Sequence, residues 1–198
     1  MDITQTITLA LIQGFTEFLP VSSSAHLVIL PKFLDWPDQG LAFDVVLHFA
    51  TLCAIIFYYR SSLVSLTKDF YDSIATRKTQ GESMLAWGII LGTIPVGIVG
   101  LLFRESIELN LRSYQVVAFA TMFFGLLLGF SDWLHRKFQK SREYIRGSDI
   151  LIVGCFQALA LIPGTSRSGI TITAALLIGL SRTLSIKYAF LLSIPVIA

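Results

Sequence analysis

Two apolar stretches of this chain are each broken at their middle by a proline and a cluster of polar residues. That pattern limits the fold more than any other feature. Ile3 to Leu30 carries Glu17, Pro20, three serines and His26 between its apolar ends. Ile150 to Leu180 carries Pro163, Gly164, Thr165, Ser166, Arg167 and Ser168 at the corresponding place. Each stretch thus divides into two apolar arms of about 12 to 15 residues, whereas crossing a bilayer takes about 20. Arms that short fit a re-entrant hairpin. Irregular backbone at membrane depth is tolerated only where protein buries it or it lines a wet cavity.

Composition places the whole chain in the same setting. Of the 198 residues, 54% are apolar and 14% charged, and the mean hydropathy is +0.72. A soluble domain carries about 25% charged residues. Fifteen Phe exclude a disordered chain. A net charge of +2 gives no basic field, so no nucleic-acid partner is expected. Cys53 and Cys155 sit in apolar runs with no metal-ligand spacing and are expected as small buried hydrophobes. Asp2 stands where a secretory signal would be basic, so no cleavable leader is expected.

Ser83 to Phe103 and Ser113 to Ser131 contain no charge and are each long enough to span, with Pro95 kinking the first. A further span covers about 41–59, and another begins near Ile186 and runs to Ala198 without a polar flank, which suggests truncation. Arg60, Lys68, Arg77 and Lys78, then Arg136, Lys137, Lys140, Arg142 and Arg146, lie in two loops; the other loops carry only Lys32, Arg104 and Arg112. The positive-inside rule puts the first two loops in the cytoplasm. The hairpin at 3–30 then enters from outside and the one at 150–180 from inside. The expected fold is an all-α integral membrane protein in one membrane domain, 1–198, built as an inverted-repeat helical bundle with two re-entrant helical hairpins. Repeat one is 1–131 and repeat two, 150–198, is incomplete. Phe18-Leu19-Pro20-Val21-Ser22-Ser23 beside Leu161-Ile162-Pro163-Gly164-Thr165-Ser166 is the local trace of that repeat. Such repeats put a binding site near the midplane, where broken-helix N-termini meet.

The polar breaks hold the chemistry. Gln13 and Glu17 share a helix face, and a carboxylate at membrane depth must be paired, protonated or bound to a cation. Pro20 to His26 reads as the start of the second arm, with Ser22, Ser23 and Ser24 at its N-terminus. Ser22 and Ser23 lie four and three residues before His26, so the ring is expected on their face, where it could serve a hydroxyl as general base. A helix N-terminus with hydroxyls is an anion site. In the second break, Gly164 and Gly169 let the backbone approach a ligand, and Arg167 brings a planar fork matched to phosphate oxygens. Glu17 is its expected partner, with a phosphate between them. These are the parts of a phosphoryl-transfer site. Asp44 and His48, four apart at the end of a span, are expected to be structural, and His135 solvated.

Taken together, the motifs resemble the bacterial undecaprenyl pyrophosphate phosphatases, the bacitracin resistance proteins of BacA type. That family's elements stand here as Gln13 to Glu17, Pro20 to His26 and Pro163 to Thr171, in the right order, with further likeness at Gly92-Thr93-Ile94-Pro95 and Gly154 to Ala158. Family members continue for about two more spans than this chain holds. The resemblance implies hydrolysis of a C55 lipid diphosphate to the monophosphate and inorganic phosphate, which recycles the carrier for wall synthesis and confers bacitracin resistance. It implies a divalent cation, magnesium or alternatively calcium, on Glu17 helped by Gln13. Ser23 or His26 would attack phosphorus, Arg167 would neutralise charge, and Ser22, Ser24, Gly164, Thr165, Ser166, Ser168 and Thr171 would contact the substrate. The implied location is the bacterial plasma membrane, with the site open to the outer face. Its partners would be the polyprenyl diphosphate and membrane lipid, with a homodimer left open. A transporter or flippase of polyprenyl phosphate lipids is the rival activity, since inverted repeats with paired hairpins are also transporter architecture.

Overall fold

The computed structural model describes residues 2–111, 113–138 and 141–198, with the side chains of 108 and 109 excepted. Arg112 and Lys140, which contribute to the charge balance of the loops, lie outside the described residues. Among the described residues every regular element is helical: α1 (Ile3–Thr16), α2 (Ser23–Phe33), α3 (Leu41–Tyr58), α4 (Arg60–Thr76), α5 (Ser83–Asn110), α6 (Tyr114–Phe138), α7 (Gly147–Ala158), α8 (Arg167–Leu177) and α9 (Arg182–Ile197). A single 3-10 turn, Leu159–Leu161, follows α7. This is an all-α membrane protein. α3, α5 and α6 are each long and apolar enough to cross a bilayer.

The two broken stretches form helix pairs, α1 with α2 and α7 with α8. α1 has 14 residues and α2 has 11, while α7 has 12 and α8 has 11. At 1.5 Å per residue none of the four reaches across a hydrocarbon core of about 30 Å. The order short, short, long recurs as α1–α2–α3 and α7–α8–α9, and α3 packs on α9. Residues 60–76, expected as loop, form α4, which lies along α5. α5 and α6 both continue beyond the apolar runs that define their spans, to Asn110 and Phe138.

The core gathers on α5, α7, α8 and α9. Val153, Leu180, Tyr188, Leu191 and Leu192 have no solvent exposure. The Tyr188 hydroxyl donates to the Gly88 carbonyl at 3.0 Å, so its one polar group is satisfied. α5 and α7 touch backbone to backbone: a Cβ on Gly154 would lie 2.8 Å from the Gly92 oxygen. Outward faces are apolar instead. Ile3, Ile7, Leu11 and Phe15, spaced four apart on α1, are all exposed, while Leu9 and Gln13 face inward. A helix whose outward stripe is apolar while its buried face holds a glutamine belongs in lipid.

Arg142 staples the segment before α7 to the end of α8. Its guanidinium donates to both Asp149 oxygens, at 2.9 and 3.2 Å, and to the Ile178 carbonyl at 2.8 Å. Hydrogen bonding to Asp149 raises the Arg142 pKa above its ordinary value. Asp149 also accepts from the Arg146 backbone at the start of α7.

Candidate active site

The two hairpin tips meet. Both carry a left-handed residue just after the proline: Ser22, with φ 61°, and Gly164, with φ 94°. Gly164 has no alternative, because a Cβ there would lie 2.4 Å from the Val117 oxygen, and its own carbonyl accepts from Thr121 at 3.0 Å. At Ser22 a side chain is held in a sparsely populated conformation, a form of strain that clusters at functional sites. After these turns α2 begins at Ser23 and α8 at Arg167, with Ser166 capping α8 by accepting from the Gly169 backbone at 3.2 Å.

Glu17 lies where the tips converge and is buried. Its Oε2 accepts from the Ser23 hydroxyl at 2.6 Å and from the Gln13 amide at 2.8 Å. Its Oε1 accepts from Arg167, an ion pair joining residues 150 apart in the chain. His48 completes the set, with Nε2 3.4 Å from Oε2. The His48 ring is oriented by Nδ1, which donates to the Asp44 carbonyl at 2.7 Å. Asp44 is fixed in turn by the Gln39 amide at 2.9 Å.

A cavity of about 240 Å³ opens beside this cluster. Ser22, Ser23 and Ser24 line one side and Thr165, Ser166 and Arg167 the other, with Glu17, His48 and Gln157 among the remaining walls. Pockets for whole drug-sized ligands run to about 300–1,000 Å³, so this one suits a polar headgroup whose chain remains in lipid.

Seven of the expected site residues therefore line one cavity, and Gln13 braces Glu17 from behind. The others are placed differently. His26 is exposed and does not line the cavity; its Nδ1 donates to the Ser22 carbonyl at 2.8 Å and braces the strained turn. The Ser168 hydroxyl donates to Leu19 O at 3.2 Å, tying hairpin to hairpin. The Thr171 hydroxyl turns back onto the Arg167 and Ser168 carbonyls, at 2.8 and 3.1 Å. Gly164 packs on α6. Two cavity residues, His48 and Gln157, are additions. Helical spacing pairs His48 with Asp44 and conceals its reach to α1, while Gln157 stands out in the sequence only as an amide in an otherwise apolar arm.

Among the described residues no group of three or more His, Cys, Asp and Glu is disposed to hold a metal ion. The Gln13 side-chain oxygen is buried without a hydrogen-bond partner. Magnesium is commonly held by one or two carboxylates, with water and substrate phosphate completing the shell. Glu17 and the Gln13 oxygen are donors of that kind, and Glu17 is open to a cation once Arg167 turns from it.

The family model for the bacitracin resistance protein BacA matches residues 6–198. The chain belongs to the BacA family. It is 59% identical over 198 residues to an undecaprenyl-diphosphatase of Ruthia magnifica, covering all of this chain and 74% of that protein. An undecaprenyl-diphosphatase 2 of Stutzerimonas stutzeri is 55% identical over 199 residues, and an undecaprenyl-diphosphatase of Campylobacter concisus 54% over 197, with the same coverage. The chain thus spans about three quarters of the length of these relatives. Membership fits the multi-pass architecture.

Proposed function

We propose that this chain hydrolyses undecaprenyl diphosphate to undecaprenyl phosphate and inorganic phosphate in the cavity between the hairpin tips, recycling the lipid carrier of wall synthesis and so conferring bacitracin resistance. The observation that carries this reading is the Ser23 hydroxyl directed onto the buried Glu17 carboxylate at 2.6 Å, with Arg167 on the other carboxylate oxygen. A hydroxyl in contact with a base is an activated nucleophile.

The terminal phosphoryl group enters between the starts of α2 and α8, where free backbone N–H groups and the Ser22, Ser24, Thr165 and Ser166 hydroxyls hold its oxygens. Ser23 Oγ attacks phosphorus as Glu17 takes its proton, the bond from phosphorus to the bridging oxygen breaks, and the lipid monophosphate leaves with that proton. Arg167 turns its fork from Glu17 alone to the equatorial oxygens and offsets their charge. Water then hydrolyses the phosphoserine. Glu17 and Gln13 would hold magnesium, or calcium, which when bound supplies charge neutralisation at the diphosphate.

We place the protein in the bacterial plasma membrane with the cavity open to the outer face. The excess of Lys and Arg in the segments 60–82 and 132–149 supports that orientation, and the diphosphate carrier is released on the outer side during wall synthesis. The recurring short–short–long helix order equally suits a polyprenyl phosphate transporter, yet transport needs no hydroxyl set against a base. Purified protein in detergent should release phosphate from the lipid diphosphate with no membrane gradient present. Binding without phosphate release would favour the transporter.

A further inference from the structure

We infer that Gln157 is the positioning residue for the hydrolytic water. This rests on the phosphoserine route proposed for Ser23 and assigns a group for its second half. Gln157 is fully buried in α7 and lines the cavity. Its amide nitrogen donates to the Gly92 carbonyl at 3.2 Å, three residues ahead of Pro95 in α5. Because Gly92 O only accepts, that contact fixes which end of the amide is which. The side-chain oxygen is left buried with no partner.

Burying an acceptor without a partner is costly, so such groups call for an occupant. The Thr165 hydroxyl, at the tip of the same hairpin and lining the same cavity, is also buried without a partner. An unprotonated phosphoryl oxygen cannot be the occupant, because it only accepts while the Gln157 oxygen needs a donor. Glu17, the carboxylate of the cavity, is already engaged by Ser23, Gln13 and Arg167. Water is the donor that the reaction itself requires. Held by Gln157, its remaining lone pair is free for phosphorus, the role a glutamine plays towards attacking water in GTPases. In the step so assisted, the water oxygen bonds to phosphorus as the bond from phosphorus to Ser23 Oγ breaks. The proton that water gives up returns through Glu17 to Ser23 Oγ, so phosphoserine and water yield serine and inorganic phosphate with no further reactant.

The test isolates the water step. Exchange of ¹⁸O between labelled water and inorganic phosphate runs this half-reaction reversibly, without lipid. In Gln157→Met, which keeps the volume but loses the acceptor, exchange should fall at least ~10-fold, the scale of losing an orienting group. Rapid-quench mixing with lipid diphosphate should then show one equivalent of monophosphate released at the wild-type rate, ahead of slowed phosphate release. Gln157→Glu, which retains an acceptor oxygen, should recover most of the exchange. Unchanged exchange in Gln157→Met, or a first turnover slowed as much as the steady state, overturns the inference. So does a Gln157→Glu protein that binds phosphate yet does not exchange. If wild type neither exchanges oxygen nor yields a trappable phosphoenzyme, the covalent route fails by itself and water attacks the lipid diphosphate directly; phosphate release slowed at least ~10-fold in Gln157→Met with lipid binding unchanged then decides whether Gln157 holds that water.

Discussion

Ser23 Oγ donates to Glu17 Oε2 at 2.6 Å across the turn between α1 and α2, and the neighbouring His26 has no part in that contact. The pair most able to act as nucleophile and base is therefore a serine with a carboxylate, both buried in the same hairpin. His26 instead braces the Ser22 turn that aims Ser23.

Ser23→Ala and Glu17→Gln should each lower turnover by about 10³-fold or more, and the double variant little further, because members of one catalytic unit are not additive. Acid quenching during turnover should trap an acid-stable phosphoserine in wild type and none in Ser23→Ala. An acid-labile adduct that persists in Ser23→Ala would move the nucleophile to a histidine.

Arg167→Lys should be severely impaired although it keeps the charge. A single ammonium cannot replace a fork that spans Glu17 and the phosphoryl oxygens. About 2 kcal/mol of lost transition-state stabilisation corresponds to some thirtyfold in rate. Steady-state kinetics on matched preparations measures this, and near-normal turnover would reduce Arg167 to the counter-ion of Glu17.

The hairpins were legible because few structures in lipid accommodate a polar, proline-containing break within an apolar run. Glu17 and Arg167 were legible as partners because each was costly alone. α4 was not, since its polar face resembles a loop when only apolar length is scored. The Ser23–His26 expectation failed to appear as a contact for a local reason. Ser23 and His26 both lie in α2, three apart, but the Ser23 hydroxyl turns back across the hairpin to Glu17 while the His26 ring turns to the Ser22 carbonyl. His48 was hidden because sequence spacing reports neighbours within α3 and is silent on what α1 brings across.

His48→Ala should lower kcat about 10-fold with KM within about twofold, the scale seen when a residue orienting a functional group is lost. The ring touches Glu17 at 3.4 Å while its other nitrogen is anchored on Asp44. His48→Gln, whose amide can reach the same carboxylate, should recover part of the loss. Wild-type kinetics in the alanine variant would return His48 to a purely structural role.

Gly164→Ala should unfold at lower temperature and lose activity together. Its Cβ would meet the Val117 oxygen at 2.4 Å from a left-handed backbone, so α6 or the hairpin tip must move. The expected cost is at least ~2 kcal/mol from strain and overpacking. Thermal unfolding in detergent reads it, and an unchanged transition would mean that α6 yields without effort.

The orientation of the cavity can be read by thiol labelling at Ser24, which is exposed and lines the cavity. Ala25, one residue on, is buried and a poor choice. Cys53 and Cys155 are both exposed and free, so each must first be replaced by alanine. Ser24→Cys in that background should then react with a membrane-impermeant maleimide added outside intact cells lacking an outer-membrane barrier. Lipid diphosphate should slow the reaction, because its headgroup would occupy the cavity that the thiol faces. An impermeant reagent cannot reach the inner face, so the side of labelling gives the side of opening directly. Labelling that appears only after the membrane is broken would invert the topology and place the Ser23–Glu17 pair towards the cytoplasm.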